Sequence, residues 1–243
     1  MRILVASDFH GNLGSAKALG SCNVEFGGSD VDAAVLCGDL SEFGSFDKGV
    51  AIIEEVRKGF QDVFYVTGNH DPPLLMKYGD AIGNGKSSTS RVTCLHGRFL
   101  KFGDFTFIGM SGFHPAFYGS WNIEGQPIDR DNEAEQFLDS LITKAIDGLH
   151  AEPKRIVLVT HDPPFGACDF SVLSRSNAGS QGIRRTVLKW KPAAICCGHI
   201  HEARGIARLG ETLVVNPGSI HFKLAAYLDL EKVGAPVAEL AKI

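Results

Sequence analysis

The sequence predicts an α/β protein built in layers. Three observations carry this expectation: aliphatic runs with strand character recur along the chain, helical patterns separate several of them, and each run ends in a polar cluster. With 243 residues and 44% hydrophobic content, the chain can bury a substantial core. One domain over residues 1–243 is expected.

Taken in order, β-branched and aliphatic residues mark strands at residues 2–7, 33–37, 62–67, 155–160 and 193–197. Helical patterns run over 47–60, over 131–149 with carboxylates in the first turn, and over 182–190 with Ser180 placed as a cap. Residues 92–111 and 205–240 leave this alternation. They read as short strands joined by turns such as Gly103-Asp104 and Gly210-Glu211, and are expected at sheet edges. Residues 111–130 hold Phe113, His114, Phe117, Tyr118 and Trp121 among glycines and prolines without a period. They read as a long loop, a candidate lid.

Composition narrows the function. The chain has 24 Lys+Arg against 28 Asp+Glu, a net charge of −4, and no basic block, which argues against long nucleic acids as partners. Few apolar residues precede Ser7, so no secretory signal is expected, and no run approaches the roughly 18 apolar residues of a membrane span. The six cysteines, Cys22, Cys37, Cys94, Cys168, Cys196 and Cys197, form no CxxC pair. Four lie in or beside strand-like runs, so buried free thiols and a cytoplasmic location are expected.

Chemistry concentrates where the strands end. Asp8 and His10 close the first, and at strand spacing residues two apart point to one side. Gly38-Asp39 ends the second, and Gly68-Asn69-His70-Asp71 follows the third. His161 ends the fourth and Gly198-His199-Ile200-His201 the fifth, again with two imidazoles expected on one side. Singly these signals are weak, since a strand-end Asp is commonly a cap or Asx-turn. Together they are not: all five strands deliver polar groups at their carboxyl ends, where α/β sheets build sites.

In this order, DxH, GD, GNHD, H and GHxH, the sequence resembles the calcineurin-like metallophosphoesterase superfamily over Asp8 to His201. The resemblance implies a four-layer α/β/β/α sandwich of two mixed sheets flanked by helices. It further implies that Asp8, His10 and His201 bind one metal, that Asn69, His161 and His199 bind another, and that Asp39 bridges them. His70 is then the catalytic histidine. Imidazole and oxygen ligands without thiolate suit two divalent transition-metal ions, Mn, Fe, Zn, Co or Ni, rather than Ca or Mg.

On this reading a water between metals about 3.5 to 4 Å apart loses its proton near neutral pH and attacks phosphorus. His70 protonates the leaving oxygen as general acid. Asp71 is expected to orient or charge that imidazole, the plainer alternative being a cap on the turn before Pro72-Pro73.

The substrate is less sharply drawn. In the protein serine/threonine phosphatase branch an Arg follows Gly-Asp closely, whereas here the continuation is Leu40-Ser41-Glu42-Phe43-Gly44. That argues against a phosphoprotein. Asn216-Pro217-Gly218-Ser219 looks like small stand-alone phosphodiesterases of the superfamily. The expectation is therefore a phosphodiesterase acting on a small diester such as a cyclic nucleotide. The alternatives are a phosphomonoesterase and a noncatalytic metal-binding scaffold. His114 and Tyr118 are candidate substrate contacts, although aromatic residues in such a loop more often pack it onto the domain. A homodimer through an exposed sheet edge stays open, and no membrane partner is expected.

Overall fold

In the first strand, β1 (Arg2–Ala6), Ile3 and Val5 point to one face while Leu4 and Ala6 point to the other, and all four are buried. A strand apolar on both faces has to be covered twice, which dictates a multilayered fold. The computed structural model describes residues 1–25, 31–79, 91–112, 130–231 and 234–243.

One mixed sheet has six strands in the order β14-β13-β1-β2-β3-β4. Here β2 spans Ala33–Cys37, β3 Asp62–Val66, β4 Arg91–Cys94, β13 Leu224–Asp229 and β14 Val237–Lys242. Strands β1 to β4 run parallel, while β13 and β14 are antiparallel to their neighbours. The second sheet has the order β11-β12-β10-β7-β6-β5. Its strands are β5 (Phe99–Phe102), β6 (Phe105–Met110), β7 (Ile156–Thr160), β10 (Ala194–Cys196), β11 (Gly205–Leu209) and β12 (Thr212–Asn216). Strands β6, β7, β10 and β12 run parallel, with β5 and β11 antiparallel at the two edges. A short hairpin, β8 (Phe170–Ser171) with β9 (Ser176–Asn177), stands apart.

Side-chain alternation stacks the layers. Ile3, Val5, Val35, Phe64 and Val66 from one sheet meet Phe107, Val157, Val159, Cys196 and Val215 from the other in a central core. The opposite face of the first sheet packs on α1 (Leu13–Glu25) and α2 (Phe46–Val56) through residues such as Leu4, Leu36, Tyr65, Leu19, Ile52 and Ile53. Helices α3 (Arg130–Leu149) and α4 (Gln181–Trp190) cover the second sheet, with Leu138, Ile142, Ile183 and Val187 against Ile108, Leu158 and Ile195. Each such buried aliphatic side chain contributes about 1.5 to 3 kcal/mol. The order of layers is α/β/β/α, as the family resemblance implies.

Several local expectations are met and some are corrected. Ser180 caps α4, its Oγ accepting from the Ile183 amide at 3.2 Å. Gly103-Asp104 and Gly210-Glu211 make two-residue turns, with Phe102 opposite Phe105 and Leu209 opposite Thr212. The strands in these two stretches are not all at edges: β6, β12 and β13 lie inside their sheets, because each pairs with a neighbour on both sides. Helix α1 carries no expectation from the sequence, since Gly14 and Gly20 and a run of small residues blur its period. The six thiols are free, and all but Cys168 are buried. Among the described residues no helix is long and apolar enough to cross a membrane. The aromatic loop, with His114 and Tyr118, lies outside the described residues.

Candidate metal centre

The parallel strands β1, β2 and β3 of one sheet and β7 and β10 of the other point their carboxyl ends into one region. There the backbone leaves strand geometry at once. Asp8, His10, Asp39 and His199 adopt left-handed conformations, with φ of 59°, 47°, 50° and 66°. Asp and His tolerate this region better than bulky residues, yet four cases in one site mark stored strain. Hydrogen bonds between loops hold it: Asp8 N to Gly38 O, His10 N to Asp39 O and Gly11 N to Leu40 O, at 2.9 to 3.0 Å.

This corrects the strand-spacing argument. β1 ends at Ala6, so Asp8 and His10 converge through left-handed turns and not through pleat alternation. His199 and His201 do not serve one side. His201 opens a short 3-10 turn, and its Nε2 lies 3.1 Å from Asp8 Oδ1 and 3.2 Å from His10 Nε2. The Nδ1 of His199 lies 3.2 Å from His161 Nε2.

Two clusters of donor atoms result, Asp8 with His10 and His201, and Asp39 with His161 and His199. The Oδ2 atom of Asp39 stands between them, 3.9 Å from His10 Nε2 and 3.5 Å from His161 Nε2. Asn69 joins the second cluster, its Oδ1 2.9 Å from His161 Nε2. His70 borders the first, its ring centroid 5.0 Å from that of His10, and with His10 and Asp39 it forms a third close group. Its amide donates to Asp39 Oδ1 at 2.8 Å.

The donor set fits metal ions. His161 Nδ1 lies 2.8 Å from the Cys37 carbonyl. A carbonyl only accepts, so Nδ1 carries the hydrogen and the neutral ring presents a lone pair at Nε2. That lone pair faces the Asn69 oxygen, the Asp39 carboxylate and another imidazole nitrogen, an arrangement that requires a cation or a proton among them. Burial disfavours a charged His161, but Asp39 outweighs it and raises the ring well above the ordinary histidine value. A proton therefore competes for the atom a metal would use. Burial also pushes Asp39 up, but the charge and hydrogen bond of His161 prevail and hold it well below the usual carboxylate range. Buried Asp8 Oδ1 has no aligned hydrogen-bond donor, although Asp8 Oδ2 accepts from the His199 amide at 3.2 Å.

Two glycines leave room that no side chain could share. A Cβ on Gly38, whose φ is 98°, would sit 2.5 Å from His161 Nδ1. One on Gly198 would sit 1.9 Å from Ser7 Oγ and 2.6 Å from Asp8 Oδ2.

A model of the calcineurin-like phosphoesterase superfamily domain matches residues 1–227. The chain belongs to that superfamily. It is 29% identical over 224 residues to the uncharacterized protein MJ1162 of Methanocaldococcus jannaschii, covering 89% of this chain and 88% of that one. UPF0046 protein K07C11.7 of Caenorhabditis elegans is 27% identical over 200 residues, 77% of this chain and 62% of the worm protein. Among solved structures, TT1561 of Thermus thermophilus has a TM-score of 0.71 at 19% identity, over 99% of this chain and 98% of that one. This last likeness is one of fold.

Within this calcineurin-like site Asp71 sits otherwise than expected. Its Oδ1 accepts from the Ser41 amide and hydroxyl at 2.6 and 2.9 Å, and its Oδ2 from the Leu40 and Gly68 amides at 3.0 and 2.9 Å. The carboxylate clamps the Asp39 loop to the Asn69 loop, and none of these bonds reaches the His70 imidazole. Burial, then the charge of Asp39, push it up to about 6 against those donors.

Other supports carry no chemical signal in the sequence. Asn216 Nδ2 donates to the carbonyls of Ile200 and Cys168 at 3.0 and 3.2 Å, bracing the Gly198 to His201 turn. Ser219 Oγ donates to the Asp8 carbonyl at 2.8 Å. These bonds give the Asn216-Pro217-Gly218-Ser219 segment a structural role. Beside the second cluster, Asn69, Arg130, Asp162, Ser180 and His199 line a cleft of about 350 Å³. Asp131 fixes its floor by accepting from Ser180 Oγ at 2.6 Å and the Gly182 amide at 3.0 Å.

Proposed function

We propose that this superfamily member is a phosphodiesterase that works with two divalent transition-metal ions on a small diester such as a cyclic nucleotide. The observation that carries the reading is the place of Asp39 Oδ2 between two imidazole clusters, which suits a carboxylate shared by two cations. Asp8, His10 and His201 would hold one ion, Asn69, His161 and His199 the other. When bound, such ions neutralise phosphoryl oxygens and lower the pKa of bound water.

The chain's own groups do the rest. Asp8 and Asp39 supply two negative charges, fewer than two dications bring, so the loaded site attracts an anion. The Cys37 carbonyl fixes the His161 tautomer, and the Asp71 clamp holds Asp39 and Asn69 in register. Asn69 offers its amide oxygen to the second cluster, which leaves the neighbouring His70 ring for proton transfer. We assign to His70 the protonation of the leaving oxygen, as general acid.

A diester is favoured over a monoester because the Asn216-Pro217-Gly218-Ser219 segment looks like that of small stand-alone phosphodiesterases of the superfamily. The cleft beside His199 offers space for one substituent of such a diester. Free thiols throughout agree with a reducing compartment such as the cytoplasm.

The test is to quantify metal in the purified chain and assay a chromogenic diester and monoester with added Mn²⁺. Diester turnover above monoester turnover is expected. Faster monoester hydrolysis would reverse the substrate assignment, and a metal-free chain inactive on both would leave the scaffold reading.

A further inference from the structure

Phe43 is 87% exposed and has a left-handed backbone, with φ of 53°. For a bulky aromatic residue that conformation is a true outlier, where Gly or Asn would sit without strain. Its chain neighbours Glu42, Gly44 and Ser45 are polar or small, and water around the ring returns nothing for the strain. The loop is nevertheless held to one path. Gly44 N donates to His70 O at 2.9 Å, Ser45 N to Glu42 O at 3.3 Å, and Ser41 is gripped by Asp71.

That path sets the Phe43 ring beside the His70 ring, with centroids 6.2 Å apart and planes at 64°. His70 in turn contacts His10 of the first donor cluster. A strained, exposed aromatic ring next to the histidine assigned to the leaving group has the character of a functional contact.

We propose that Phe43 is the specificity-determining contact for the leaving group, a platform selecting phosphate diesters whose departing alcohol carries a flat aromatic ring, a nucleoside or an aryl group, over polyol esters. The inference rests on the assignment of the leaving group to the His70 side. Stacking of one ring is worth about tenfold in affinity, roughly 1.4 kcal/mol.

The experiment measures binding of phenylphosphonate and methylphosphonate to the Mn²⁺-loaded chain by calorimetry, which needs no turnover. Alongside it, kcat and KM are determined on bis(p-nitrophenyl) phosphate and on a glycerol-based diester. The chain is expected to prefer the phenyl ligand about tenfold. Phe43→Ala should bring that ratio close to one, with the loss on the aryl diester falling mainly on KM, and Phe43→Trp should restore it. Metal content should not change, and Phe43→Gly should raise the unfolding temperature by relieving the backbone.

A Phe43→Ala variant that keeps the phenyl preference overturns the proposal. So does a concentration-dependent dimer that the substitution abolishes, because the ring would then serve a contact between copies. Phenyl selectivity that depends on Phe43 in a chain hydrolysing no ester would uphold the platform and sink the catalytic reading. Hydrolysis indifferent to Phe43 would do the reverse.

Discussion

Replacing Gly198 by Ala tests how tightly the two halves of the centre are joined. The new Cβ would lie 1.9 Å from Ser7 Oγ and 2.6 Å from Asp8 Oδ2, where ordinary contact starts near 3.4 Å, so something must move by about 1.5 Å. Rotating the Ser7 hydroxyl away does not clear the space, because Ser7 Cβ itself lies 2.7 Å from the new atom. Ser7 and Asp8 are fully buried, and the Ser7 carbonyl accepts from the Ile220 amide at 2.9 Å. Overpacking of this kind costs about 1 to 3 kcal/mol, which for a chain of this size lowers the unfolding temperature by roughly 2 to 12 °C. The shift also breaks the His199 amide bond to Asp8 Oδ2, and metal affinity at the first cluster should fall about 10- to 100-fold. Thermal unfolding with chelator reads the folding cost, and calorimetric metal titration reads the site. Gly148→Ala is the control: its Cβ meets nothing within 4 Å in α3, and the change should stabilise by about 0.5 to 1 kcal/mol. A Gly198→Ala chain that melts within a degree of the parent and binds both metals as tightly would refute the packing argument.

Three further substitutions separate the roles around the centre. His70→Ala should keep both metals and lower kcat about 100- to 10,000-fold, as loss of a general acid does; metal loss by elemental analysis would move His70 into the ligand set. Asp39→Asn should release metal, because the remaining groups lack the charge to hold two dications, and unchanged stoichiometry would count against a bridge. Asp71→Asn should weaken metal binding and leave the alkaline limb of the kcat pH profile, where the general acid loses its proton, in place, since the carboxylate grips Leu40, Ser41 and Gly68 and not the imidazole. A shifted alkaline limb with intact metal would restore the orienting role the sequence suggested.

The layered α/β character and the gathering of polar groups at one sheet edge were legible from periodic burial and from where strands stop, whereas the four-layer order and the ligand set came from the family resemblance. Leu4 and Ala6 against Ile3 and Val5 announce a sheet covered on both faces, and the polar clusters mark its active edge. The path of the chain through that edge was not legible. The left-handed turns at Asp8, His10, Asp39 and His199 come from hydrogen bonds between loops distant in sequence, which no local pattern encodes. For the same reason His199 and His201 part company despite their spacing, and Asp71 turns to backbone amides that only the fold brings near. Phe43 looked like any loop residue, because what distinguishes it is a backbone angle and a neighbour 27 positions away.

The most direct measurement is anomalous diffraction from crystals of the Mn²⁺-loaded chain. Two peaks per chain are predicted, about 3.5 to 4 Å apart, on either side of Asp39 Oδ2, one against Asp8, His10 and His201 and the other against Asn69, His161 and His199. A single peak, or peaks away from Asp39, would contradict a shared binuclear centre.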